Sequence, residues 1–431
     1  VIKPITFCIN TANNEKDYVL LLLNSLKDNT QIELHEVLVF VDTDNQNTYE
    51  ALLDFKSEMP TLKVCKNPEQ FPVWYQRNIS ILFKAAQNDI VCYLHSDMVV
   101  GKDFDKHICD NLQSENTILC CARIEPPLHP PSPEKVVKDF GITPTEFQYD
   151  NFNKYVEELQ AENRPNQWGH MVPFVLYKSA WFDILGGFDT QFRNSREDGD
   201  MITRMGLCGF DLVQCWNACV YHFTCVSSRG KDWYVSEKEA QLKNQLQGLA
   251  DLQEHKRYIR KWGTFGLFAQ PVFDTTFDVN LDRVVDMQLL KFIEPYGKRL
   301  YVNNPAVADQ LISQLAFESD YYNNLRWGYT HEYWDSVRHL HNQTDFKKRV
   351  LCSGEERAGD VIITFKYSEF ADQWSEDVKY FIENLHKIIE ENEVGEFAYG
   401  PFHINIKEKV NLMNNNKKME HHSDSQIYTF K

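Results

Sequence analysis

Three groups of side chains in the first half of the chain have the types and spacing that chemistry needs. His95-Ser96-Asp97 closes a mostly apolar run, Asp89–His95, that reads as a strand. A carboxylate at the carboxyl edge of a central strand is placed to hold a divalent cation bridging two phosphates, because Mg2+ and Mn2+ favour hard oxygen ligands and share them with substrate. An Asp that only caps the next turn gives the same pattern. Glu197-Asp198-Gly199-Asp200 follows Gly186-Gly187-Phe188-Asp189 and precedes Arg204. A helix dipole alone favours acids in a first turn. Three carboxylates beside arginines exceed that need, and in a pocket one of them can act as a general base. His222 lies at the end of Asp211–Phe223, another strand-like run. An aromatic-rich strand packs such a ring as readily as it offers it to a metal. Imidazole suits Mn2+, and a three-ligand site that leaves positions open for a diphosphate needs a group of this kind.

These residues depend on elements that alternate between period-2 and helical patterns. Ile5–Ile9, Glu36–Val41, Leu62–Lys66 and Asp89–His95 read as strands, and Glu15–Lys27, Asn47–Lys56 and Pro72–Ala86 as the helices between them. That order is the signature of a sheet wound by crossover helices, whose ligands bind beyond the carboxyl ends of the strands. Thr117–Glu125 is a further strand, ended by the proline-rich Glu125–Pro133,. From there to Gln167 the chain reads as an irregular or partly helical flap. Met171–Tyr177 resumes as strand, Ser179–Leu185 is a short helix stopped by Gly186-Gly187, Arg196–Leu207 another helix, and Asp211–Phe223 the closing strand.

Ser236–Trp262 carries Leu242, Leu246, Leu249 and Leu252 on one stripe, the pattern of a helix packed on a domain,. After a break at Gly263–Gly266, helix at Val284–Ile293, strand at Arg299–Val302, a helix opened by Asn304-Pro305, strand at Val361–Lys366, helix at Ser375–Glu391 and strand at Phe397–Ile406 suggest a second, smaller α/β domain,. Expected boundaries are therefore 1–235 for the first domain, 236–266 for a helical connector, 267–410 for the second domain and 411–431 for a polar tail containing His421-His422. No glycine-rich phosphate loop marks the second domain. A second domain of the same kind as the first, a methyltransferase-like domain and an interaction module all fit its pattern.

Composition narrows the function classes. The chain has 431 residues, 43% hydrophobic and 25% charged, as in ordinary globular proteins of two domains,. Its formal charge of −17 argues against wrapping nucleic acid or coating anionic lipid,. No apolar run approaches a membrane span, so the chain reads as soluble. Eleven cysteines without metal-ligand spacings read as buried thiols in a reducing, cytoplasmic setting,.

Taken in order, the pieces resemble the family 2 glycosyltransferases, which have a GT-A fold, a Rossmann-like nucleotide-sugar-binding domain. The resemblance covers about residues 4–224. Asn10-Thr11-Ala12-Asn13 compares with the family's Pro-Thr-Tyr-Asn, Val41-Asp42-Thr43-Asp44-Asn45 with Val-Asp-Asp-Gly-Ser, and Gln76-Arg77-Asn78 with Ala-Arg-Asn. His95-Ser96-Asp97 stands where the family has Asp-x-Asp. Gly186–Asp189 and Glu197–Asp200 match its Gly-Gly-Phe-Asp and Glu-Asp-x-Asp in full, and Val220-Tyr221-His222 matches its closing Val-Tyr-His. Two departures stand out: Ala12 replaces an aromatic that stacks on the base, and His95 replaces the first acid of the metal motif. The Gln-x-x-Arg-Trp motif of processive members is missing, because Asn323-Asn-Leu-Arg326-Trp327 lies too far downstream.

The resemblance implies that Thr11 and Asp42 contact the nucleoside, that Arg77 lies near the diphosphate, and that Asp97 and His222 bind Mn2+ or Mg2+; Asn13 and Ser96 are further donor-binding candidates, and His95 is a metal-site candidate that touches the ion directly, through water or not at all. It implies Asp198 as catalytic base; beside it, Glu197 is a second catalytic candidate and Asp200 an acceptor-side one, and the long aromatic-dotted flap adds Trp168 to the acceptor side. Tyr149 and Tyr155 of the flap are further sugar-stacking candidates, packing being the alternative for each. The expected activity is transfer of a sugar, with inversion, from a nucleoside-diphosphate sugar, UDP first among them, to a hydroxyl of a glycan, glycolipid or protein. A retaining transferase on the same fold, and a non-catalytic sugar-binding or scaffold protein with a decayed site, are the alternatives.

Overall fold

The structure is a computed structural model that describes residues 1–68, 73, 75–169, 172–189, 191–192, 196–224, 226, 252–266, 270–325, 346–352, 357–419 and 428–431. It divides into two compact units. One takes in Val1–Thr190, Arg204–Val235 and Lys418–Lys431, and the other Gln191–Thr203 and Ser236–Lys417. Among the described residues no helix is long and apolar enough to cross a membrane, and the ten described cysteines are free thiols.

The first unit is built on the alternation expected of it. Strands β1 (Ile5–Thr11), β2 (Glu36–Val41), β3 (Leu62–Lys66) and β4 (Ile90–His95) run parallel, joined by helices α1 (Lys16–Asn29), α2 (Thr48–Phe55) and α3 (Tyr75–Ala85). The sequence hides a further strand, β5 (Met98–Val100), and helix α4 (Phe104–Asn111). The sheet continues with β6 (Thr117–Glu125), β7 (Lys135–Val137), β8 (Gln167–Trp168), β9 (Phe174–Tyr177) and β10 (Asp211–His222). Its order is β3-β2-β1-β4-β9-β6-β10-β5, with β7 on β6 and β8 on β10.

This order forces a bend where the chemistry is expected. Only Ser96 and Asp97 separate β4 from β5, yet β9, β6 and β10 lie between those strands in the sheet. A flat sheet would set them four spacings apart, roughly 19 Å. Three residue steps span at most about 11 Å. The sheet therefore curls around Ser96-Asp97, and β5 closes antiparallel on β10 with His222 opposite Met98.

The core of this unit is apolar and continuous, with Phe7, Ile9, Leu22, Val39, Leu94, Val100 and Val220 all fully buried. The region expected to be a flap is more ordered than its polarity suggested. Helix α5 (Tyr149–Ala161) buries Phe152, Val156 and Leu159, spaced for one helical face, and with Phe140 and Phe147 it packs on Tyr221 and Phe223,. The polar tail also differs from expectation at its described ends. Met419 N–H donates to the Leu185 carbonyl, and Val64 and Lys431 exchange both backbone bonds, because β3 is an edge strand with open groups,.

The second unit has its own six-stranded sheet. Strands β11 (Thr275–Asn280), β12 (Arg299–Val302), β13 (Val350–Cys352), β14 (Val361–Lys366), β15 (Gly395–Tyr399) and β16 (Phe402–Ile406) take the order β13-β12-β11-β14-β16-β15. The first four are parallel, and β16 runs antiparallel to β14 and β15. Phe397–Ile406 is thus a hairpin and not one strand, because Gly400 takes a positive φ of 51° between its arms,. The helix expected at Ser375–Glu391 breaks at Asn384 into Glu376–Glu383 and Leu385–Glu391.

Residues 252–262 are helical and belong to this unit, as does the 191–203 segment that the sequence placed in the first domain. Side-chain bonds supply the reason. Trp262 Nε1 donates to Asp200 Oδ1 at 2.9 Å, Arg257 donates to the Gln191 carbonyl at 3.0 Å, and Phe192 packs on Tyr258. Residues 236–251 of the expected helix, Pro72, Met171, Arg326-Trp327 and His421-His422 lie outside the described residues.

Candidate active site

Strand geometry brings the three metal-ligand candidates together. His95 ends β4, Asp97 occupies the bend after it, and His222 ends β10, where the Phe223 N–H donates to the Asp97 carbonyl at 3.0 Å. One nitrogen or oxygen of each lies within 4.8 Å of the others, and His222 Nε2 is 3.4 Å from Asp97 Oδ1. Ligand atoms bonded to a divalent ion at about 2.1 Å sit roughly 3.0–4.2 Å apart, so the group fits an ion with little rearrangement. One hard carboxylate oxygen with two imidazoles suits Mn2+ better than Mg2+.

A residue that the sequence did not single out stands behind this group. Glu125, 2% exposed at the end of β6, accepts a bond from His222 Nδ1 at 2.8 Å. Its own carboxylate is held by Arg123 at 3.4 Å and by Lys135 at 2.8 Å. Burial opposes its charge, but His222, Arg123 and Lys135 outweigh burial and hold its pKa at about 2,. The available signal was the one read at Asp97, an acid closing a central strand.

The same balance shapes the ligands. Burial works against a charged His222, yet the Asp97 carboxylate and bonds to Asp97 and Glu125 raise its pKa. Asp97 is likewise buried, and His222 and His95 hold it below the usual carboxylate range. Desolvation, and then His222, press the His95 pKa down to about 4, which keeps that ring neutral and able to donate a lone pair to a metal,.

On the other side of Asp97, Ser96 Oγ donates to Glu15 Oε2 at 2.7 Å, and the Ala12 N–H donates to the same oxygen at 2.8 Å. Glu15 thereby ties the 11–13 loop to the metal motif. Burial raises its pKa to about 7, against the bonds from Ser96 and Ala12 and with the help of Asp97. An acid whose folded pKa lies above its unfolded value holds its proton more tightly when folded. Its contribution to stability is therefore full below pH 4.5 and is lost as the pH rises towards 7. Glu15→Gln keeps an accepting oxygen without the charge. In chelator, its stability relative to the parent should rise between pH 5 and pH 8 by roughly 2–3 kcal/mol, since the folded carboxyl holds its proton to about pH 7 and the unfolded one only to about 4.5,. Denaturant melts at both pH values check this, and a difference independent of pH would contradict it.

The donor candidates cluster at the carboxyl ends of β1 and β2, with one on α3. Thr11 is fully buried, and its carbonyl accepts the Asp42 N–H at 2.9 Å. The Asn13 N–H donates to Thr43 Oγ1 at 3.1 Å. Asp42 Oδ1 accepts from Asn67 Nδ2 at 2.9 Å and from the Val73 N–H at 2.7 Å, so Asn67 joins this group although the sequence had not named it. Arg77 stands, half-buried, near the start of α3. Trp168 pairs opposite Val213 and is 46% exposed, as a sugar-stacking ring would need to be. Tyr149 and Tyr155 instead serve packing. The Tyr149 hydroxyl bonds to Asp28 and Asn29 of α1, and Tyr155 lies under the Lys138 ammonium and beside Phe140.

Helix α6 (Glu197–Leu207) carries Glu197, Asp198 and Asp200 in its first turn. Glu197 and Asp198 are half-buried there. Asp200, an acceptor-side candidate, is completely buried and accepts from Trp262 and, at 2.6 Å, from Lys261 Nζ. Arg204, also fully buried, donates to the Leu185 carbonyl at 2.9 Å and to the Gly187 carbonyl at 2.8 Å. It locks the Gly186-Gly187 turn, where both φ angles are positive and a Cβ on Gly186 would come within 1.9 Å of the Met419 carbonyl oxygen,.

Residues 7–177 match the family described as glycosyl transferase family 2. No curated protein is similar enough to match the chain. Among solved structures, the chain is similar to residues 1–349 of TarS from S. aureus in complex with UDP, at 14% identity and a TM-score of 0.39, covering 78% of this chain and 91% of that one. It is also similar to GalNAc-T7 with UDP, GalNAc and Mn2+, at 13% identity and a TM-score of 0.42, covering 60% of this chain and about half, 48%, of that one. A third is the mannosyltransferase PcManGT from Pyrobaculum calidifontis in complex with GDP-Man and Mn2+, at 15% identity and a TM-score of 0.38, covering 59% and 63%. The family match falls on the strands and helices that bear Asp42, Arg77 and Asp97, so residues 7–177 belong to a family 2 glycosyltransferase domain of the GT-A fold, and the chain that carries it is a glycosyltransferase.

Proposed function

We propose that the chain transfers a sugar from a nucleoside-diphosphate sugar to an acceptor hydroxyl, with inversion, and that the reaction depends on a divalent cation held by Asp97, His222 and His95. The observation that carries this reading is the convergence of those three side chains at the bend of the sheet. Such a cation, when bound, neutralises charge on the departing diphosphate. Asp97 would supply an anionic ligand to the cation and the two imidazoles neutral ones. Asp42 and Asn13 hold the nucleoside end of the donor, and Arg77 and Ser96 the end near the diphosphate. Asp198 is the base that takes the acceptor's proton. Its support is the full match of Glu197–Asp200 to the family's acidic segment and the commitment of Asp200 to Trp262 and Lys261. Trp168 offers a ring to a glycan, glycolipid or protein-linked acceptor.

The test is a screen of UDP- and GDP-linked sugars with Mn2+, reading nucleotide release and then the anomeric configuration of the product by NMR. We expect release from one donor class, its suppression by chelator, and an inverted product. Retention of configuration would remove Asp198 from its role, and no release from any donor in the presence of acceptor glycans would favour a binding protein.

A further inference from the structure

We infer that Glu125 is a positioning residue for the metal centre, fixing the His222 ring so that Nε2 faces the ion; this rests on the reading of His95, Asp97 and His222 as ligands. A ligating imidazole has two nitrogens, and only the one without a proton can bind a metal. Which nitrogen that is depends on what the other one meets. Here Nδ1 meets the Glu125 carboxylate at 2.8 Å, which accepts a hydrogen bond and cannot donate one, while Nε2 points to Asp97 Oδ1 at 3.4 Å. The carboxylate therefore selects the Nδ1–H tautomer, holds the ring plane, and makes Nε2 more basic.

Glu125 is itself immobilised. Arg123, two residues earlier on β6, and Lys135, opposite Arg123 on β7, take its two oxygens at 3.4 and 2.8 Å. The proline-rich segment between β6 and β7 thus returns Lys135 to the ligand's support. The His222 backbone is fixed by its pairing with Met98 on β5.

The experiment measures Mn2+ binding alone, without donor or turnover, by counting free Mn2+ in EPR titrations of the full chain. Wild type should bind one ion, and Asp97→Ala should abolish that binding. Glu125→Ala should weaken it by about 10–100-fold, the usual effect of removing such a partner, and Glu125→Gln, which still accepts from Nδ1–H, should recover most of the loss. Glu125→Ala leaves Arg123 and Lys135 without their carboxylate and is checked for folding by circular dichroism. If it does not fold, nitrogen NMR of the histidines in Mg2+-saturated wild type decides, with a protonated Nδ1 on His222 expected. Wild-type affinity in folded Glu125→Ala, or a protonated Nε2, overturns the inference while leaving the metal site standing. No Mn2+ binding by wild type overturns both.

Discussion

Asp97→Asn is expected to abolish one-to-one Mn2+ binding and to lower kcat/KM by about 10²–10³-fold, the size associated with losing one preorganised electrostatic contact to developing charge. The reason is local. Asp97 is the anionic member of the triad, since His95 is pressed towards neutrality and His222 is the group that Asp97 itself helps to charge. Asparagine keeps the shape and leaves two imidazoles to hold a hard cation, which they do poorly. The backbone role of the residue survives, because the Phe223 N–H bonds to its carbonyl and not its side chain. The variant should therefore fold normally, which circular dichroism verifies, while metal titration and steady-state kinetics record the loss. Unchanged activity in chelator would show that Asp97 has another task.

Asp198→Asn should behave differently. A sugar hydroxyl is far too weak an acid to ionise at neutral pH, so its proton must leave as the new bond forms, and a positioned base contributes ~10²–10⁴-fold. We expect kcat to fall by that factor while Mn2+ and donor affinity stay near wild type, since the loss concerns the transition state and not ground-state binding. Glu197 and Asp200 are not equivalent to it. Asp200 is buried against Trp262 and Lys261, so Asp200→Asn should lower stability more than it lowers kcat,. Lost donor binding in Asp198→Asn would mark the segment as structural.

Much of the first unit was legible because its strands are short apolar runs between polar turns. Glu36–Val41 and Leu62–Lys66 have the bounds read from the sequence, and α1 differs from its expected span by a residue or two at each end. Strands that carry polar residues for tertiary reasons were not legible. β11, central to the second sheet, alternates Thr276, Asp278 and Asn280 with apolar residues, and Asp278 is there to pair with Arg357 at 2.8 Å. Such partners are remote in sequence. β5 was missed for its three-residue length, although it is the strand that curls the sheet. The hairpin at Gly400 has a single glycine as its signal, which a reading of strand periodicity passes over.

The site divides in the same way. His95, Asp97, Asp198 and His222 were named from motif order, because a local sequence can show a residue at a strand end. What a sequence cannot show is who stands behind it. In sequence Glu125 is only the last residue before a proline-rich loop, and its contact with His222 spans 97 positions. Asp200 resembled its acidic neighbours until burial separated them, and Tyr149 resembled a stacking group until its hydroxyl was found on α1.

In the proposed reading, Asp97 and its two histidines form a metal site that holds a nucleotide diphosphate. Calorimetric titration of UDP and GDP into the full chain, with Mn2+ and then with chelator, tests it most directly. One of these nucleotides should bind in Mn2+, chelator should remove the binding, and Asp97→Asn should fail to bind in either condition. Equal affinity with and without metal, in both wild type and Asp97→Asn, would contradict it.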